Sequence, residues 1–219
     1  MSMRMVADIE ELHHLHVNID AGELPGISYT KDLTVTFVQR NGALEDQINV
    51  GDKILAVNDC SVNDRKTFDR IQQKQHITSM TVSRDKGRGE KIKQEQCVDD
   101  NDKNITKRDG FLYLKVKMTR QQKTAIPIGL QVKNDKEGHV YVTNVMKGSL
   151  SAECLIVGDR VLQVDGTNID DKEMAKKIIV QGLSSSNVTT ITVERPDSPK
   201  ARYFASEVLS IRTPPNVDN

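Results

Sequence analysis

The sequence predicts a mainly β, α+β chain made of two copies of one small domain. Each copy is expected to be a partly open β-barrel or sandwich of about five to six strands and two helices. Three observations carry this expectation. Leu33 to Ile71 aligns without gaps over Val140 to Ile178 at an offset of 107, with ten of 39 positions identical, among them Val50-Gly51-Asp52 over Val157-Gly158-Asp159. A period that long exceeds any solenoid repeat and marks a duplicated domain. Second, the apolar residues between turn signals follow the period of two of half-buried strands. Third, each copy holds one short amphipathic helix between strands.

The elements are clearest in the second copy. Phe111 to Met118 alternates apolar and polar residues and reads as a strand. Leu130 to Lys133 is a short strand, Asp135-Lys136-Glu137-Gly138 a turn, and Val140 to Val145 a further strand. Gly148-Ser149 breaks the chain before the short apolar segment Leu150 to Leu155. Val157-Gly158-Asp159 turns into a strand over Arg160 to Val164, and Asp165-Gly166 is a hairpin signal. Asp170-Asp171 is placed to cap a helix over Lys172 to Gln181, with Gly182 as its stop. Met174, Ala175, Ile178 and Ile179 give that helix one apolar stripe. Thr189 to Glu194 closes the unit. In the first copy the helix falls on Asp64 to Gln73, where Arg65, Lys66, Asp69 and Arg70 surround Phe68 and Ile71.

This divides the chain into a first domain at 12–84, a charged linker at 85–110, a second domain at 111–195 and a tail at 196–219. The linker carries seven basic and seven acidic residues, with Ile92, Cys97, Val98 and Ile105 as its apolar content. Such a segment is expected to stay solvated, because it buries too little to offset its ordering entropy. In the tail, Tyr203, Phe204, Val208, Leu209 and Ile211 are the residues able to dock on a domain, and the tip is expected to be loose.

Composition narrows the function classes. Lys+Arg and Asp+Glu both number 31, which argues against a strongly basic nucleic-acid binder. The second domain nevertheless carries twelve basic against nine acidic residues. No apolar run approaches a membrane span, and the N-terminus lacks the apolar stretch of a secretory signal. Cys60, Cys97 and Cys154 are too few and wrongly spaced for a disulfide scaffold or zinc site, so reduced thiols in a cytoplasmic protein are expected. His13, His14 and His16 have no partner at ligand spacing, and no metal or cofactor is expected. Asp52 and Asp159 read as turn residues before a strand. No arrangement of nucleophile and base stands out, so the chain is expected not to be an enzyme.

The second copy closely resembles a PDZ domain over Phe111 to Arg195. The resemblance rests on Pro127-Ile128-Gly129-Leu130 in the place of the family's carboxylate loop, on Gly148-Ser149, and on Val157-Gly158-Asp159-Arg160-Val161-Leu162-Gln163-Val164-Asp165-Gly166. The first copy is similar through Val50 to Val57 and the shared spacing. The resemblance implies capture of a peptide C-terminus. Backbone N–H groups of Ile128, Gly129 and Leu130 would form a nest for the carboxylate, with Lys123 as its basic support. The peptide would add as a strand beside Leu130, Gln131, Val132 and Lys133, with its last side chain in a pocket of Ile128, Leu130, Val132 and the helix. Affinity of about −8 kcal/mol, in the micromolar range, is expected. Aligning the helix end at Gln181-Gly182 puts Lys172 at the first groove-facing position, Lys176 one turn on, and Ile179 beside the terminal pocket. The two lysines would favour an acidic or backbone-accepting ligand side chain. A shift of one residue would put Asp171 and Ala175 there instead.

The first copy departs from this pattern. Its loop is Leu24-Pro25-Gly26-Ile27, where Pro25 removes one N–H donor. Glu23 adds negative charge, and Asp20 stands where the second copy has Lys123. Losing a charge-assisted donor costs about 1.5–3 kcal/mol, so carboxylate binding here is expected to be degenerate. The resemblance thus implies a tandem adaptor or scaffold whose partners are C-termini of other proteins, such as membrane receptors, channels or signalling proteins. Packing of the two copies on each other, self-association, lipid binding and service as a regulatory module of a larger enzyme or assembly are the alternatives.

Overall fold

The computed structural model describes residues 10–99, 105–120 and 126–210. It separates into two compact units, residues 1–95 and 96–219. Both units are mainly β, with no closed barrel among the described residues.

In the first unit, β1 (Glu11–Ile19), β4 (Lys53–Val57), β5 (Cys60–Ser61) and β6 (Ile77–Arg84) form a sheet of order β1-β6-β4-β5. A separate ribbon pairs β2 (Ile27–Tyr29) with β3 (Val35–Val38), Ile27 opposite Val38. Helix α1 (Arg65–Lys74) starts where Asp64 accepts a hydrogen bond from the Thr67 N–H at 2.8 Å. Its Phe68 and Ile71 enter a core with Ile19, Leu33, Val35, Ile54, Val57, Ile77 and Val82. A run of turns from Arg40 to Ile48 buries Leu44 and Ile48 where the second unit has a short helical turn.

In the second unit, β7 (Phe111–Thr119), β8 (Leu130–Asn134), β9 (Val140–Val145), β10 (Arg160–Val164) and β12 (Val188–Pro196) follow the order β7-β12-β10-β9-β8. Strand β11 (Thr167–Asn168) pairs with β10. Ser151–Glu153 forms the 3-10 turn. Val116, Met118, Val140, Val142, Val161, Val164, Ile191 and Val193 alternate inward from the sheet and pack under Ala175, Ile179 and Leu183 of α3 (Lys172–Ser185). Asp171 caps α3 by accepting from the N–H groups of Glu173 and Met174 at 2.9 and 3.0 Å. Replacing Asp171 with Ala is expected to cost about 1 kcal/mol, read as a lower melting temperature of the second unit.

The repeated aspartates do more than turn the chain. Asp159 accepts from the Ile156 N–H, as a turn residue should, and also takes a two-pronged bond from Arg195 at 2.8 and 2.7 Å. Both side chains are fully buried, and Arg195 also donates to the Cys154 carbonyl. The same device recurs as Asp52 with Arg84, at 2.9 and 2.7 Å, but there the arginine is partly exposed.

Two expectations need correction. Helix α3 runs through Gly182 to Ser185, and Ser186 is its cap. Gly182 serves close packing instead: a Cβ there would lie 2.7 Å from Asp165 Oδ2 and 3.1 Å from Thr189 Cβ. The segment read as a solvated linker contains α2 (Lys86–Gln96). That helix is held by contact and polar bonds rather than by apolar burial. Gly89 lies so close to Gly51 that a Cβ on Gly51 would meet its Cα at 2.4 Å. Arg88 donates to the carbonyls of Gly51 and Ser83 and pairs with Glu10. The tail begins with α4 (Pro199–Ser210), whose Ala201 and Ala205 are buried; its tip lies outside the described residues.

Candidate functional site

Strand β8 ends the sheet of the second unit, so one of its edges pairs with β9 and the other with no strand among the described residues. The loop before it has a polarised backbone. The Pro127 carbonyl accepts from the Leu150 N–H at 3.0 Å, and the Ile128 carbonyl from the Ser151 N–H at 3.1 Å. The Gly129 carbonyl accepts from the Met146 N–H and from the Ser151 hydroxyl. All three carbonyls are thereby turned onto Met146, Leu150 and Ser151, which flank Gly148-Ser149. The N–H groups of Ile128 and Gly129 donate to nothing among the described residues. Consecutive N–H groups freed in this way form an anion-binding concavity. Gly129 makes the bend at a φ of +66°, and a Cβ would collide with the buried Ser149 at 2.3 Å. Only glycine fits there.

A cavity of about 330 Å³ opens beside the loop. Ile128, Gly129, Leu130 and Gln131 line it from the loop and β8, and Lys176, Ile179 and Val180 from α3. Asn144 and Met146 close it from β9 and the segment that follows. Gln131 and Asn144 are register partners across β8 and β9, which places them side by side. Met146 and Val180 are about half exposed and form an apolar rim.

The structure brings Ile128, Gly129, Leu130, Gln131, Lys176 and Ile179 around one cavity. Val132 shares the face of Leu130 on β8 and is buried with Ile179 in the core cluster against which Ile128 and Leu130 pack, without itself lining the cavity. Lys172 does not line the cavity. Its side chain is exposed, and its N–H donates to Asn134 Oδ1 at 3.0 Å. Lys176 pairs with Glu173 at 2.9 Å, which offsets part of its charge. The alternative register does not suit the helix, since Asp171 is occupied as the cap and Ala175 is fully buried. Lys123 lies outside the described residues. Asn144, Met146 and Val180 were missed from sequence, the first two because they come from an element with no helical stripe to follow.

The first unit carries the same elements with a different interior. Gly26 bends its loop at a φ of +71°, and its carbonyl accepts from the Gln39 N–H. Pro25 supplies no donor. Three α1 residues at the i, i+4, i+7 spacing of one helix face then bond across to the loop and β2. The Arg65 guanidinium donates to the Tyr29 carbonyl at 3.0 Å and lies over the Tyr29 ring at 4.6 Å. Asp69 accepts from the Tyr29 hydroxyl at 2.5 Å. Gln72 donates its side-chain amide to the Glu23 carbonyl, while its own carbonyl accepts from the Gly22 N–H at 2.8 Å. The Tyr29 ring packs edge-on against Phe68. Burial and the neighbouring Asp69 carboxylate push the Tyr29 phenol well above its ordinary range, so it stays a donor. By repeat position Gln72 stands where the second unit has Ile179, so a polar tie replaces an apolar wall. Asp20 pairs with His76 at 3.0 Å and its N–H donates to Glu23.

The PDZ domain family model matches residues 11–83 and 115–194. Among solved structures, the chain is similar to the PDZ domain of human KIAA0340 protein in solution. The two are 27% identical over 41% of this chain and 84% of that one, with a TM-score of 0.32. It is also similar to the RIM1alpha PDZ domain in complex with an ELKS1b C-terminal peptide, at 25% identity over 39% of this chain and 89% of that one, with a TM-score of 0.31. No curated protein sequence matches the chain. With the family's pattern found twice, on two units that each carry its sheet and groove helix, the chain belongs to the PDZ domain family, as a tandem of two such domains.

Proposed function

We propose that the chain is a non-enzymatic adaptor that captures the C-terminal peptides of partner proteins, mainly through its second domain, in the cytoplasm. The observation that carries this reading is the pair of undonated N–H groups on Ile128 and Gly129. They stand at the mouth of an apolar cavity, beside a strand edge with no strand partner among the described residues. A carboxylate satisfies the donors, the last side chain fills the cavity, and the peptide backbone extends the sheet antiparallel to β8. Lys123 supports the carboxylate.

The first domain is degenerate in this reading. Its loop lacks one donor at Pro25, and Arg65, Asp69 and Gln72 tie α1 to β2 and the loop, where a peptide would have to insert. Opening that face would break these part-buried bonds before any new ones formed, at a net cost of about 1 kcal/mol each. The first domain therefore serves as support or as a different kind of interaction surface.

A screen of C-terminal peptides against the full chain tests the reading. With Lys172 and Lys176 on α3, acidic residues at the third-last ligand position are expected to bind more tightly than Ser or Thr. A clear Ser/Thr preference would contradict the assignment of those two lysines.

A further inference from the structure

The second domain holds another cavity, of about 200 Å³, at the end of β8 and β9 opposite the loop, beside the turn that joins them. Its floor is Tyr141 of β9 and Arg160 of β10, which are direct register partners on adjacent strands. Its wall is Phe204 and Val208 of α4. The wall is fixed in place. Lys133 donates to the carbonyls of Val208 and Leu209 at 2.8 and 2.7 Å, and Arg108 stacks between Phe111 and Phe204 while pairing with Glu194.

The floor has donors without acceptors. Tyr141 is 3% exposed, lines the cavity, and its hydroxyl has no hydrogen-bond partner among the described residues. Arg160 also reaches no hydrogen-bond acceptor there; its ion pair with Glu194 is 3.8 Å long. The Tyr141 ring is buried while its hydroxyl opens into the cavity beside the Arg160 side chain, so two donors face one small space and are available to a single acceptor group. Of the acidic groups at the rim, Asp135 accepts from the N–H groups of Glu137 and His139 and lies 3.0 Å from the His139 ring, and the Glu137 side chain is largely exposed to solvent.

We infer that this cavity is a second ligand site, distinct from the peptide groove, for a small organic anion: a carboxylate on a compact apolar body. The Arg160 fork and the Tyr141 hydroxyl hold the carboxylate oxygens, and the body lies against Phe204 and Val208. A guanidinium matches a carboxylate in two-pronged geometry, and the volume suits a ligand smaller than those of ordinary drug-sized pockets, which run about 300–1,000 Å³. Burial raises the Tyr141 phenol above its ordinary range, which keeps it a donor at neutral pH.

Phenylacetate is a suitable probe, titrated into the full chain and followed by amide NMR shifts. Saturable shifts are expected around Tyr141, Arg160 and Phe204, and they persist in a Gly129→Ala variant, which removes any binding at the peptide loop. Tyr141→Phe, which deletes one oxygen, is expected to weaken binding about tenfold. Arg160→Lys, which keeps the charge opposite Glu194 but loses the fork, weakens it at least as much. Three results would each overturn the inference: no saturable binding at millimolar probe, unchanged affinity in both variants with the native spectrum retained, or inorganic phosphate binding as tightly as phenylacetate.

Discussion

Gly129→Ala is expected to reduce the affinity of the full chain for a free-carboxylate peptide by roughly a hundredfold or more, the loss of two or more charge-assisted donors. The reason is local. A Cβ at this position meets Ser149 Cβ at 2.3 Å, Ser149 Oγ at 2.5 Å and Met146 Cβ at 2.9 Å. Ser149 has nowhere to go, because it is buried and its hydroxyl is bonded to the Met146 carbonyl and to Ser151. The loop must move instead, and its carbonyls leave the partners that aim the N–H groups outward. An alanine at positive φ adds a backbone cost of about 1–2 kcal/mol. Gly26→Ala in the first domain is the matched control: its Cβ would find only ordinary contacts, at 3.4 Å and beyond. It is expected to leave peptide affinity unchanged. Fluorescence anisotropy of a labelled peptide reads both. Equal affinities for the Gly129 variant and the native chain would remove the loop from the account.

Asp159→Ala is expected to cost the second domain about 3–5 kcal/mol, enough to unfold a domain of ordinary stability. The substitution leaves the Arg195 guanidinium charged, buried and deprived of the carboxylate that takes two of its donors. The Ile156 N–H loses its acceptor as well. Asp52→Ala in the first domain removes the same pair in a wetter place. Arg84 is 22% exposed and keeps its bond to the Gln47 carbonyl, so water can compensate and the cost is smaller. Denaturant unfolding followed by amide signals assigned to each domain separates the two effects. A loss below about 1 kcal/mol for Asp159→Ala would mean that the buried pair contributes little.

Much of this fold was legible in the sequence, because its signals were local. Alternation over Phe111 to Met118, the turn at Val157-Gly158-Asp159 and the cap at Asp171 each depend on neighbours in the chain. What escaped detection depends on distant contacts. Helix α2 has no apolar stripe, and its stabilisers are the approach of Gly89 to Gly51 and the bonds of Arg88. Gly182 resembles a helix stop until the hairpin at Asp165 and the strand at Thr189 are packed against it. The arginine partners of Asp52 and Asp159 lie 32 and 36 residues away, beyond any turn signal.

The candidate site divides in the same way. The loop Pro127 to Leu130 and the residues Lys176 and Ile179 could be placed from motif and helix spacing. Asn144 and Met146 could not, since cross-strand register brings them to the cavity. Val132 follows from strand alternation, which puts it on the face of Leu130, where it lies in the core with Ile179. In the first domain, Pro25, Glu23 and Asp20 announced a weakened loop. The ties of Arg65, Asp69 and Gln72 stood at i, i+4 and i+7, a spacing that marks one helix face, but their partners Tyr29 and Glu23 emerge only when the helix is set beside the loop and β2.

The central claim is that the second domain captures a free carboxylate at Ile128 and Gly129 while the first does not. One peptide, prepared as free acid and as C-terminal amide, titrated into the full chain and followed by amide NMR, tests it most directly. The account predicts that the free acid binds at micromolar concentration and shifts the amides of Ile128, Gly129 and Leu130, with those of Gly26 and Ile27 unmoved, and that the amide binds at least tens-fold more weakly, an estimate from loss of charge-assisted bonds of about 1.5–3 kcal/mol. Equal binding of acid and amide, or shifts centred on Gly26 and Ile27, would contradict it.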